Sequence, residues 1–105
     1  MFVTILLQKG SSPSLANKLV EELRPGAAGT LIRPKKVEAF LGLTTKDCQY
    51  AIICEILYYS DDMVNKIENR INDILTETEI EQILFTPKQP TYNYLFFPEL
   101  SRQTM

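Results

Sequence analysis

The residues from Gln49 to Tyr59, QYAIICEILYY, restrict the fold more than any other part of the chain. Read as a strand, they put Tyr50, Ile52, Cys54, Ile56 and Tyr58 on one side. Ala51, Ile53, Glu55, Leu57 and Tyr59 fall on the other. Both sides are mainly apolar. A strand with one wet side alternates apolar and polar residues, so this one belongs inside a sheet covered on both faces.

The flanking segments supply the first of those covers. Phe2 to Gln8 (FVTILLQ) is a short, nearly continuous apolar run and reads as another buried strand. Ser12 followed by Pro13 is a helix start, because serine accepts a free backbone N–H there and proline loses nothing at the first helical position. Leu15, Leu19, Val20 and Leu23 then share one helical face, and Pro25-Gly26 stops the helix. Ser60 or Asp61 caps a second helix, whose face carries Met63, Val64, Ile67, Ile71, Ile74 and Leu75. Asp61 and Asp62 suit its positive N-terminal end and are read as capping residues, not as a catalytic carboxylate pair.

A second strand is expected over Ala28–Arg33 and a fourth over Glu79–Thr86. Val37 to Leu43 satisfies both helical and strand spacing; a partly ordered loop or helical turn is expected, packing Phe40 and Leu41 down. Thr91 to Phe97 (TYNYLFF) reads as a fifth extended segment. The order β-α-β-β-α-β plus an extra C-terminal strand is that of an α+β, ferredoxin-like split βαβ domain. It occupies residues 1–97, with a flexible tail over residues 98–105. Helices in this layout cover one sheet face, so the apolar second face of Gln49–Tyr59 points to burial by another subunit.

Composition excludes several functions. The 105 residues contain no histidine, which removes the commonest general base and triad partner. No catalytic residue, metal site or cofactor is implied. Cys48 and Cys54 do not form a CxxC pair; Cys54 reads as an inert core thiol, and Cys48 has room to be exposed. The absence of a disulfide framework favours a reducing, cytoplasmic setting. No apolar run reaches membrane-spanning length, so no direct membrane insertion is expected. The net charge of −2 gives no general attraction for nucleic acid, and the tyrosine-bearing strands lack interleaved Lys/Arg. Charge is nevertheless uneven: residues 1–46 carry seven Lys/Arg against three Glu, and residues 47–105 carry four against ten acids. Opposite patches of this kind can meet between subunits.

The candidate site is the stretch from Arg24 to Leu43, RPGAAGTLIRPKKVEAFLGL. Ala27, Ala28 and Gly29 leave the backbone open to close approach. Thr30 to Ile32 favours a strand, and Arg33, Lys35 and Lys36 surround Pro34. A small-residue turn, a strand and a basic loop are parts from which an anion site can be built. Such a site would combine N–H groups near Gly29 and Thr30 with charge from Arg33, Lys35 or Lys36. The same residues also describe a plain helix-to-strand turn followed by a solvated basic loop. Glu55 is a carboxylate within an apolar strand and needs a partner, edge exposure, or a lysine across a subunit boundary.

The run GAAGTLIR, the basic loop, and then AFLGLTTKDCQYAIICEILYYSDDMVNKIENRINDIL resembles the short, divergent branch of the PII-like signalling proteins. The likeness spans residues 1–86 and is strongest over residues 26–75. It implies a homotrimer packed around a three-fold axis, effector sites in clefts between subunits, and a mobile T-loop between the second and third strands that touches partner proteins. By position, Gly29 and Thr30 would lie where the second strand meets a nucleotide. Arg33, Lys35 and Lys36 would stand at the loop base where phosphates are held. The chain departs from the pattern in three places. RPKK replaces the usual glycine- and arginine-bearing loop base. The T-loop is short and has no tyrosine. TETEIEQ stands where a glycine-rich phosphate loop is found, and its acidic residues repel polyphosphate. The expectation is therefore a trimeric regulator that binds a small anionic effector, with a nucleotide disfavoured, or docks on a partner protein through the loop between strands two and three. The alternative is a non-catalytic interaction module on the same scaffold with no effector.

Overall fold

The computed structural model describes residues 1–24 and 31–97. Along the chain run β1 (Phe2–Leu7), α1 (Pro13–Leu23), β2 (Leu31–Phe40), β3 (Cys48–Ile56), α2 (Asp61–Ile74), β4 (Ile80–Thr86) and α3 (Tyr92–Phe96). The four strands form one sheet in the order β2-β3-β1-β4, with every neighbouring pair antiparallel. The architecture is α+β. Pro25-Gly26, the expected start of the second strand at Ala28–Thr30 and the expected tail over residues 98–105 lie outside the described residues.

The two long helices start as their sequences direct. Ser12 Oγ accepts the Leu15 N–H at 3.2 Å, with Pro13 in the first turn. Ser60 Oγ accepts the Met63 N–H at 3.4 Å, and Asp61 and Asp62 occupy the first turn of α2. Helix α1 buries Ala16, Leu19 and Leu23, while α2 buries Ile67 and Ile71. They close over Val3, Ile5 and Leu7 of β1 and Ile52 and Cys54 of β3, which together form the main core. A Glu22–Arg70 pair at 3.3 Å links the helices at the surface, where such pairs contribute about 0–1 kcal/mol. Apolar burial holds this layer.

The other sheet face is covered from within the chain. Leu95 and Phe96 of α3 pack with Leu6, Ala39, Ala51 and Ile53 into a second core. The fifth strand expected over Thr91–Phe97 is therefore a one-turn helix. Thr91 Oγ1 accepts the Tyr94 N–H at 3.2 Å and starts it. A strand would send the adjacent Leu95 and Phe96 to opposite sides, whereas a helix brings both toward the sheet. Both faces of β3 are thus filled by the chain itself, and its two-sided apolar character does not require a second subunit.

Two further expectations give way. Strand β2 continues to Phe40 where a loop or helical turn was expected, because the ladder from Lys35↔Ile53 to Phe40↔Cys48 satisfies its backbone. Phe40 is not packed down but 65% exposed, while Leu41 leans on the second core. Cys48 is buried in the main core, its carbonyl accepting the Gly10 N–H at 2.8 Å. Cys54 is buried as expected, and burial pushes its thiol up to about 12, so it carries no reactive thiolate near neutral pH.

Candidate functional site

Strand β2 lies at one edge of the sheet and carries a break in register between Ile32 and Lys35. Pro34 has no N–H to give to the ladder, and one extra residue of β2 bulges there. Arg33 takes a backbone φ of 53°, the one positive value at a non-glycine residue among those described. Left-handed backbone costs an L-residue roughly 1–2 kcal/mol. Arg33 Nη1 donates to Glu55 Oε2 at 3.1 Å, with the two side chains 81% and 36% exposed. An ion pair that open contributes about 0–1 kcal/mol and does not by itself offset the strained backbone. A left-handed residue other than glycine is uncommon, and Arg33 is therefore a position to test for function.

The bulge forms one wall of an open cleft of about 420 Å³. Arg33, Pro34 and Lys35 come from β2, Ile53 and Glu55 from β3, and Phe2 from β1; Gln89 completes the lining from the segment after β4. Phe2 and Ile53 give it an apolar side. Lys35 stands opposite Ile53 in the ladder and makes no ion pair among the described residues.

The three cations expected to act together are divided. Arg33 and Lys35 line the cleft. Lys36 pairs with Ile52 and faces the helices, where its Nζ donates to Asn17 Oδ1 at 3.0 Å and lies 5.7 Å from the centre of the Tyr50 ring. Strand alternation causes the split, since consecutive residues point to opposite faces. Gly29 and Thr30 lie outside the described residues. Glu55 finds a partner in Arg33 of the same chain. Glu55 was legible as a carboxylate in need of a partner. Phe2 and Ile53 read only as core, and Gln89 carried no signal, since only the path of the chain after β4 brings it to the cleft.

The two turns at the far end of the sheet satisfy themselves. Asp47 Oδ2 accepts the Thr44 N–H at 3.2 Å and the Thr44 hydroxyl at 3.0 Å. Glu79 Oε1 accepts the Thr76 N–H at 2.7 Å and its hydroxyl at 3.0 Å. Backbone hydrogen bonding is the first cause that holds both carboxyls below their ordinary values. The β2–β3 connection is likewise a built turn, with Leu41 N–H donating to Asp47 O at 2.9 Å. A Cβ at Gly42 would stand 2.5 Å from the Asp47 carboxyl, so a side chain there would have to displace it. Leu43 is fully exposed at the tip of the connection.

Among the described residues no group of three or more His, Cys, Asp or Glu is arranged to hold a metal ion. No described helix is long and apolar enough to cross a membrane. No protein-family model, curated protein or solved structure matches the chain.

Proposed function

We propose that this chain is a non-catalytic regulatory domain, similar to the short divergent PII-like signalling proteins, that takes a small anionic effector against Arg33 and Lys35. The left-handed Arg33 beside Lys35 at the mouth of the cleft carries this reading. The β2-β3-β1-β4 order, with α1 and α2 on one face, supports a ferredoxin-like split βαβ scaffold. A polyphosphate is disfavoured, because the Glu55 carboxylate lines the same cleft and already pairs with Arg33. The output is contact with a partner protein through the β2–β3 hairpin, whose Phe40 and Leu43 are presented to solvent. A homotrimer is part of the proposal, with the exposed Leu57, Tyr58 and Tyr59 as its apolar support in place of β3.

Calorimetry and thermal shift with simple carboxylates, inorganic phosphate and adenine nucleotides test it, since a specific ligand stabilises the folded state by mass action. Binding is expected to weaken in Lys35→Gln and as salt screens the site. No heat and no shift at millimolar concentration would overturn the effector role. The second reading, an interaction module acting through Phe40 and Leu43 alone, would then stand.

A further inference from the structure

If the cleft is the effector site, as proposed above, its charge balance sets the class of effector. Two cations line it, Arg33 and Lys35. Glu55 lines it as well and holds Arg33 at 3.1 Å, so one positive charge already has a carboxylate partner. Lys35 supplies the remaining charge. A ligand with two or more negative charges would meet the Glu55 carboxylate while gaining only one unmatched cation, and like charges set close together repel. Half-buried Phe2 offers hydrocarbon to the ligand over the nearly buried Ile53, and Gln89 completes the lining. The volume of about 420 Å³ falls in the range of sites for small organic molecules.

We infer that the cleft selects an amphipathic monocarboxylate, with the carboxylate on Lys35 and the hydrocarbon body along Phe2. Glu55 is the specificity residue: by matching Arg33 it turns away dianions.

Calorimetry at low salt with 3-phenylpropionate, 3-phenylpropanol, glutarate and inorganic phosphate tests this on the wild type and on Lys35→Gln, Glu55→Gln and Glu55→Asp. The wild type is expected to prefer phenylpropionate over glutarate and phosphate by about tenfold or more, and not to bind the alcohol measurably. Lys35→Gln loses about tenfold for phenylpropionate. Glu55→Gln frees Arg33 and moves the preference about tenfold toward glutarate, while the charge-retaining Glu55→Asp keeps the wild-type order. Glutarate or phosphate binding as tightly as phenylpropionate, and through Lys35, would overturn the monoanion class and leave the effector cleft standing. Equal binding of the acid and the alcohol, unchanged by Lys35→Gln, would overturn the carboxylate contact. Silence with every anion would overturn the effector reading itself.

Discussion

Arg33 reaches Glu55 at 3.1 Å from a backbone φ of 53°, so the ion pair at the cleft is made by a residue in left-handed conformation. Asparagine tolerates that conformation better than arginine does. Arg33→Asn is therefore expected to be as stable as wild type or more stable by up to about 1 kcal/mol, despite losing a surface ion pair of about 0–1 kcal/mol. Arg33→Val, with a branched Cβ, is expected to lose about 1–3 kcal/mol. Urea unfolding measures both. A loss above about 2 kcal/mol in the asparagine variant would show that the pair holds far more than its exposure allows.

Acid sensitivity follows from the two self-closed turns. Glu79 and Asp47 are held below their ordinary values of 4.5 and 3.8, first by the Thr76 and Thr44 backbone N–H groups. A carboxyl with a lowered folded-state pKa stabilises the protein above its unfolded value. That contribution is lost as pH falls through the folded value. The wild-type urea midpoint should be flat near neutrality and decline below about pH 4.5. Glu79→Gln keeps an acceptor but does not titrate, so its decline should be shallower. A parallel decline in both proteins would count against the turn as a source of acid sensitivity.

Ile67 and Ile53 test the two cores separately. Ile67 is fully buried under α2 and Ile53 is 4% exposed beneath α3. Each change to alanine is expected to cost about 2–5 kcal/mol. Leu43→Ala, at the exposed hairpin tip, should stay within about 0.5 kcal/mol of wild type. An Ile53→Ala protein as stable as wild type would mean that α3 does not seal the second face in solution.

Assembly is read by light scattering. The proposed function expects a trimer mass at micromolar concentration, and a monomer mass would remove the trimer from it. In either case Ala51 and Ile53 are covered by the chain's own α3.

The amino-acid order by itself determined the two long helices, the Ser12 cap and the central place of β3, and left the second cap between Ser60 and Asp61. Capping and amphipathic spacing act between residues a turn or two apart, so they are written locally. The apolar content of Gln49–Tyr59 also showed that both faces of the sheet need cover. What supplies the second cover was a tertiary matter. Tyr92–Phe96 is aromatic enough for a strand, but the sheet face offered Ala39, Ala51 and Ile53 as a seat for Leu95 and Phe96, and that burial selected the helical turn. The site was decided in the same way. Arg33, Lys35 and Lys36 form one basic group along the chain. Pairing of Lys35 with Ile53 and Lys36 with Ile52 sends the two lysines to opposite faces. The bulge at Pro34 leaves Arg33 beside Glu55. Register sets which side of a sheet a residue occupies, and register arises only when β2 meets β3.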